Sequence, residues 1–318
     1  MKISVALVFS RLVFQLLLTL SGLYAQNAAA TAAFRSDSRL VLVPLSVTDH
    51  QGKTVNGLQA LDFAVFDDGT PQKIVSFAGQ DSPCSVGLVL DTSGSMRNTL
   101  GAAKDIAQAF FQTANPEDEF LLLTVSTRPD AMPQFTTDPA AVDEAIKLTS
   151  PGGMTALIDT IYLGLNRMRA ATKPRHALLI LSDGMENNSR YSKADLMRAA
   201  QETDVQIYAI IVDGIASANN AVPFRPSMAM KPIDQAREHQ GPLILEELSE
   251  KTGGLHFRVH NHIAAKEAAI KVGQAIRNEY MIAYRAPDST NAGKWHRIRV
   301  KSNVPKVNVY ARSGYYSR

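Results

Sequence analysis

Four apolar runs, 85–90, 119–125, 177–182 and 205–212, are rich in Val, Ile and Leu and are bounded by turn residues. Runs of this kind suit strands buried on both faces, as in a parallel sheet covered by helices. The stretches between them, 97–114, 139–148, 156–171 and 193–203, read as helices. In one of these, Leu157, Ile161, Leu165 and Met168 recur at helical spacing on one face. Two more helices, 242–252 and 263–277, flank a short strand at 255–259. Alternating β and α units predict an α/β core of Rossmann-like type, with a doubly wound, mostly parallel sheet.

The segments on either side have no helical period. Residues 39–80 open with Leu40 to Val43, break at Asp49-His50-Gln51-Gly52, and resume at Phe63, Val65 and Phe66. Asp67-Asp68-Gly69 then makes a hairpin turn before Ile74 to Phe77. Residues 278–318 return to strand patterning at 281–284, 295–300 and 307–311. Small sheets standing alone are marginal in water, so the two flanks are expected to pack as one discontinuous β domain around the inserted 83–277 unit. The tail from Lys294 to Arg318 holds seven Lys or Arg and no acidic residue. Arg297, Arg299 and Lys301 alternate with Ile298 and Val300, the pattern of a solvated sheet face.

Residues 1–25 read as a secretory signal, with Lys2 at the start, an apolar stretch from Leu12 to Leu20 and Ala25 as a cleavage point. Residues 26–38 read as a flexible lead-in. The expected product is exported, periplasmic or extracellular, with no membrane span after cleavage. Losing Lys2 and Arg11 takes the formal charge from +3 to +1. That is too little for general attraction to nucleic acid. The single cysteine, Cys84, excludes an intrachain disulfide and a cysteine-based zinc site.

The chemistry concentrates where strands are expected to end. The first buried run leads into Asp91-Thr92-Ser93-Gly94-Ser95, and the third into Ser182-Asp183-Gly184. Gly152-Gly153-Met154-Thr155 leads into a helix, with Thr155 near its N-cap. Ligands of open parallel sheets bind beyond the carboxyl ends of the strands. Two carboxylates and three hydroxyls there offer oxygen only, the donor set of hard divalent cations. With two negative charges from the protein, such an ion would keep an appetite for a carboxylate from outside.

This set of residues resembles the metal-ion-dependent adhesion site of von Willebrand factor type A domains, and the similarity runs over about 85–277 with the same β/α order. The flanks resemble those of an exported bacterial group of VWFA-related domain proteins: Asp62 to Gly69 with Pro71 to Ile74 at the start, and Gly314-Tyr315-Tyr316 as a closing strand. The resemblance implies that Ser93 and Ser95 bind the cation directly, that Asp91 and Asp183 bind directly or through water, and that Thr155 joins when a partner is engaged. The implied ion is Mg²⁺, with Mn²⁺ or Ca²⁺ as alternatives. Met154 departs from the family pattern, which has glycine before the threonine, and is expected to stiffen that loop. Asp159 is expected to support the loop rather than bind metal.

The resulting expectation is a non-enzymatic, adhesion-type module that captures an Asp or Glu of a protein partner. The alternatives are a metal-assisted hydrolase, whose general base would have to be an otherwise solvated Glu186, and a scaffold with a vestigial site. No GxxxxGK[ST], GxSxG or HExxH motif is present. The proline-rich segment 214–240, with Phe224, Met228 and Met230, is expected to form part of the partner-binding rim or a disordered surface insert. His256, His260 and His262 share one parity, but a turn at Asn261 is expected to separate them.

Overall fold

The computed structural model describes residues 40–79, 81–213, 215, 240–286 and 293–317. Residues 1–25, expected to be a secretory leader, residues 26–38, expected to be a lead-in, and most of the 214–240 segment lie outside the described residues. In chain order the elements are β1 (Leu40–Asp49), β2 (Phe63–Asp67), β3 (Thr70–Gln72), β4 (Ile74–Gly79), β5 (Cys84–Asp91), α1 (Leu100–Phe111), β6 (Glu119–Val125), β7 (Asp130–Ala131), α2 (Pro139–Leu148) and α3 (Leu157–Arg167). They continue with β8 (Arg175–Ser182), α4 (Lys193–Glu202), β9 (Gln206–Val212), α5 (Gly241–Thr252), β10 (His256–Val259), α6 (His262–Arg277), β11 (Tyr280–Arg285), β12 (Trp295–Ser302), β13 (Val307–Ala311) and β14 (Gly314–Tyr316).

The central sheet has the order β10-β9-β8-β5-β6-β7. Its strands are parallel except β7, a two-residue antiparallel edge. Successive side chains of a strand point to opposite faces, and both faces here are covered. Val86, Leu88 and Leu90 of β5 pack with Ile106 and Phe110 of α1, Ile146 of α2 and Val272 of α6. Val89 packs on the other side with Ile161 and Leu165 of α3, Leu196 of α4 and Leu248 of α5. This explains why the runs show no polar alternation. Cys84, at the start of β5, is buried, and desolvation pushes its thiol well above the ordinary range, so it packs as a small apolar residue.

The flanking segments form two antiparallel four-stranded sheets, ordered β13-β1-β11-β4 and β14-β12-β2-β3. Each interleaves strands from both ends of the chain. β1 pairs along its first half with β11 and along its second with β13, and β2 lies against β12. Val43, Leu45, Val47, Phe63, Val65, Ile282, Tyr284 and Ile298 share one core. Leu40 and Leu42 face outward at the start of β1, whereas Ser46 and Thr48 are buried farther along. There β1 passes against α6, and the Ser46 hydroxyl donates to the Ala275 carbonyl at 3.3 Å. On β12, Arg297, Arg299 and Lys301 are exposed, the solvated face that their spacing predicts.

Two helix boundaries differ from expectation. Residues 94–98 form a 3-10 turn before α1, so the helix begins at Leu100 rather than 97. The helix after Thr155 ends at Arg167, and Met168–Ala170 is again a 3-10 turn.

Candidate functional site

The strand order reverses direction at β5: the chain goes next to β6 on one side, then to β8 on the other. The crevice of a doubly wound sheet lies at this reversal, beyond the carboxyl ends of the two strands concerned. Here those ends are Asp91 of β5 and Ser182 of β8. Leu90 is in register with Leu181, so the next residues lie side by side, and the Ser182 hydroxyl donates to Asp91 Oδ2 at 2.5 Å. Asp91 Oδ1 accepts the Ser93 N–H at 2.9 Å. Ser93 and Ser95 bring their hydroxyl oxygens to 3.0 Å of each other. Asp183 Oδ1 accepts the Met185 N–H at 3.0 Å.

The loop before α3 is fastened to the first one by its backbone. The Gly94 N–H donates to the Gly153 carbonyl at 3.0 Å, and the Gly152 N–H to the Thr92 carbonyl at 2.8 Å. Thr155 is buried immediately before Ala156, the N-cap of α3. Its N–H donates to Asn187 Oδ1, and its carbonyl accepts the N–H groups of Asn187 and Asn188. The loops bearing Asp91, Thr155 and Asp183 are thus tied pairwise.

Two glycines permit the approach. Gly153 has φ +80, and a Cβ there would lie 2.5 Å from the Thr127 hydroxyl. Gly184 has φ +78, and its Cβ would lie 2.7 Å from the Pro242 ring of α5. Both positions use the left-handed region that glycine enters at little cost.

Electrostatics separate this cluster from an ordinary turn. Burial, and then the neighbouring Asp183 charge, push the Asp91 carboxyl up to about 7, against the hydroxyls of Ser182 and Ser93 that favour its charged form. Burial raises Asp183 as well, opposed by the Met185 N–H and the Ser95 hydroxyl. Two desolvated carboxylates served by hydroxyls and one or two N–H groups are under-compensated, and a small hard cation would supply the missing charge. The donor set therefore fits such an ion.

Linkage gives a test of this electrostatic picture. In the unfolded chain Asp91 titrates near the ordinary ~3.9, so between about pH 4 and 7 the native state binds more protons than the unfolded one. Without divalent cations, stability should fall as pH rises through this window. Glu279, which burial also pushes up to about 7, contributes with the same sign. Thermal unfolding of Asp91→Asn in chelator isolates the site: its midpoint should depend less on pH than that of the wild type, and equal dependence would refute the assignment.

Residues 86–186 match the family model of the von Willebrand factor type A domain. This chain carries a von Willebrand factor type A domain. A curated relative, an uncharacterized protein of Borreliella burgdorferi, is 26% identical over 185 residues, covering 55% of this chain and 53% of that protein. The chain thus spans about half the length of the curated relative it matches. Among solved structures, BatB from Bacteroides thetaiotaomicron is 20% identical with a TM-score of 0.45, covering 60% of this chain and 98% of that one. A von Willebrand factor type A protein from Catenulispora acidiphila is 13% identical with a TM-score of 0.47, covering 89% and 75%.

Glu186 of the von Willebrand factor type A domain is the main correction to the sequence reading. It is buried, not solvated. Its Oε2 accepts the Ile158 N–H and the Ser189 hydroxyl, and its Oε1 accepts the N–H groups of Asn188 and Ser189. It therefore caps the N-terminus of α3 and knits the 186–189 turn, with both oxygens engaged. Asp159 supports the same loop, accepting the N–H groups of Arg190 and Tyr191 on Oδ1. The Met154 loop is fixed by backbone bonds instead of by bulk: its N–H donates to the Thr127 hydroxyl, while the side chain is 49% exposed. Thr127 and Asn187, which brace the loop, escaped the sequence reading because a lone polar residue in a loop carries no pattern. His256 lies on β10, which ends at Val259, and His262 opens α6 after the Asn261 cap, so the strand is broken before His262 as expected.

Proposed function

We propose that Asp91, Ser93, Ser95, Thr155 and Asp183 together hold one divalent cation, Mg²⁺ in the first place and Mn²⁺ or Ca²⁺ as alternatives. Through it the domain captures an Asp or Glu side chain of a protein partner. The reading makes the chain an exported, adhesion-type binding module rather than an enzyme. The observation that carries it is the pair of desolvated carboxylates, Asp91 and Asp183, at the strand-order reversal of a von Willebrand factor type A domain. Hydroxyl donors surround them and an unfinished charge balance remains. Five oxygen donors would leave one of the about six positions of Mg²⁺ open to an outside carboxylate. Glu186, the base that hydrolysis would require, is committed to backbone N–H groups.

Among the described residues no helix is long and apolar enough to cross a membrane. The export assignment rests on the composition of residues 1–25.

The test is capture from solubilised cell envelope of the source organism on the immobilised chain, with Mg²⁺ and with a chelator. Proteins retained only with Mg²⁺, and released by free glutamate-containing peptide, are expected. Retention indifferent to the chelator would overturn the reading.

A further inference from the structure

A second group of ligand-type side chains lies away from the domain's crevice, in the flanking sheets. Among the described residues, Asp67, Asp68 and His296 each place a metal-ligating atom within 4.8 Å of the others. Asp67 ends β2, Asp68 occupies the following turn at φ +47, and His296 sits on β12 in register with Tyr315 of β14. The turn reads in the sequence as an ordinary Asp-Gly hairpin and His296 as one more position on a strand. The structure makes them neighbours.

Contacts on one oxygen of each aspartate leave the other oxygen near His296 Nδ1. Asp67 Oδ2 accepts the hydroxyls of Tyr284 and Tyr315 at 2.8 and 2.9 Å. Its other oxygen, Oδ1, is buried without a hydrogen bond and lies 3.5 Å from His296 Nδ1. Asp68 Oδ1 accepts the Arg297 N–H, which aims Oδ2 at His296 Nδ1 from 3.2 Å. His296 is stacked on Tyr315, and its side chain is 7% exposed. Lys294 reaches Asp68 only at 4.0 Å and is more than half exposed, so it is free to withdraw.

A proton on His296 Nδ1 would serve one carboxylate and leave Asp67 Oδ1 without a hydrogen bond. A cation would serve all three atoms. Bonds of about 2.0–2.2 Å in a tetrahedral site set ligand atoms about 3.3–3.5 Å apart, close to the two separations seen. One imidazole with two carboxylates suits a borderline ion rather than Mg²⁺ or Ca²⁺, which favour oxygen alone.

We infer that Asp67, Asp68 and His296 form a zinc site, three protein ligands with a fourth position for water, that clamps the first flanking segment to the last. Two carboxylates with a neutral imidazole balance the charge of Zn²⁺. His296 Nε2 is buried without a partner, so the ring lacks the second hydrogen bond that usually supports a zinc ligand. That loss should hold the affinity ~10–100-fold below a fully supported site.

The experiment is calorimetric titration of the full chain, stripped by chelator, with Zn²⁺ in excess Mg²⁺. Wild type and Asp91→Asn should each bind one equivalent. Asp68→Asn and His296→Gln should bind at least ~10-fold more weakly. Asp68 is partly exposed at the turn, so Asp68→Asn is expected to keep the zinc-free unfolding midpoint and remain informative even if His296→Gln misfolds. Absence of zinc binding by the wild type, or binding unaltered in Asp68→Asn, would overturn the assignment. Zinc binding lost in Asp91→Asn alone would place the ion in the crevice and overturn it equally.

Discussion

Asp91→Ala should abolish the response of the protein to Mg²⁺. In the wild type, a cation at a hundredfold excess over its Kd stabilises the native state by about 2.7 kcal/mol. For a chain of this size that raises the unfolding midpoint by roughly 4–5 °C. The variant should show no rise, and its Mg²⁺ affinity by calorimetry should fall by at least ~100-fold, the equivalent of about 2.7 kcal/mol. Its midpoint in chelator should stay near that of the wild type. The substitution leaves the Ser182 hydroxyl and the Ser93 N–H without their acceptor, at a cost of about 1–3 kcal/mol each. It also removes a buried carboxylate that repels Asp183, which offsets that cost. A variant that still gains stability from Mg²⁺ would show that the ion binds elsewhere.

Removing residues 284–318 should unfold the flanking sheets while leaving the central one standing. The truncation takes away β12, β13 and β14 together with Tyr284, so β2 keeps only the short β3 beside it and β1 keeps only part of β11. Burial of Tyr284 and Ile298 is worth about 1.5–3 kcal/mol each. The ladder bonds of β1 and β2 to the lost strands go with them. Amide exchange should rise by orders of magnitude over 41–49 and 63–67, and stay slow in β5, β8 and β9, whose partners all lie within the α/β core. Continued protection of 41–49 in the truncated chain would mean that the first segment folds without the last.

Much of the architecture was legible before any coordinates. Strands buried on both faces lose polar alternation, and helices with one buried face show it at their own period; β5, β8, β9 and α3 follow directly. The interleaving of the two flanks was also accessible, because neither can bury its apolar face alone. What was hidden depended on tertiary neighbours. The acidic character of Glu186 argues for solvent until one sees that the unpaired N–H groups of α3 and the 186–189 turn converge on it. The late start of α1 reflects Gly94–Asn98 tightening into a 3-10 turn so that Gly94 can reach Gly153. Asp67 and His296 look like a turn and a strand position because the pairing that unites them spans most of the chain.

The interleaved ends have a consequence for synthesis. Val41 waits for Tyr284, and Val43 for Ile282, before either is covered. The central sheet can close while the ribosome is still extending the chain, but the valines of β1 cannot. During that interval they form a sticky, strand-prone surface. A factor that shields nascent apolar segments should therefore raise the yield of this protein.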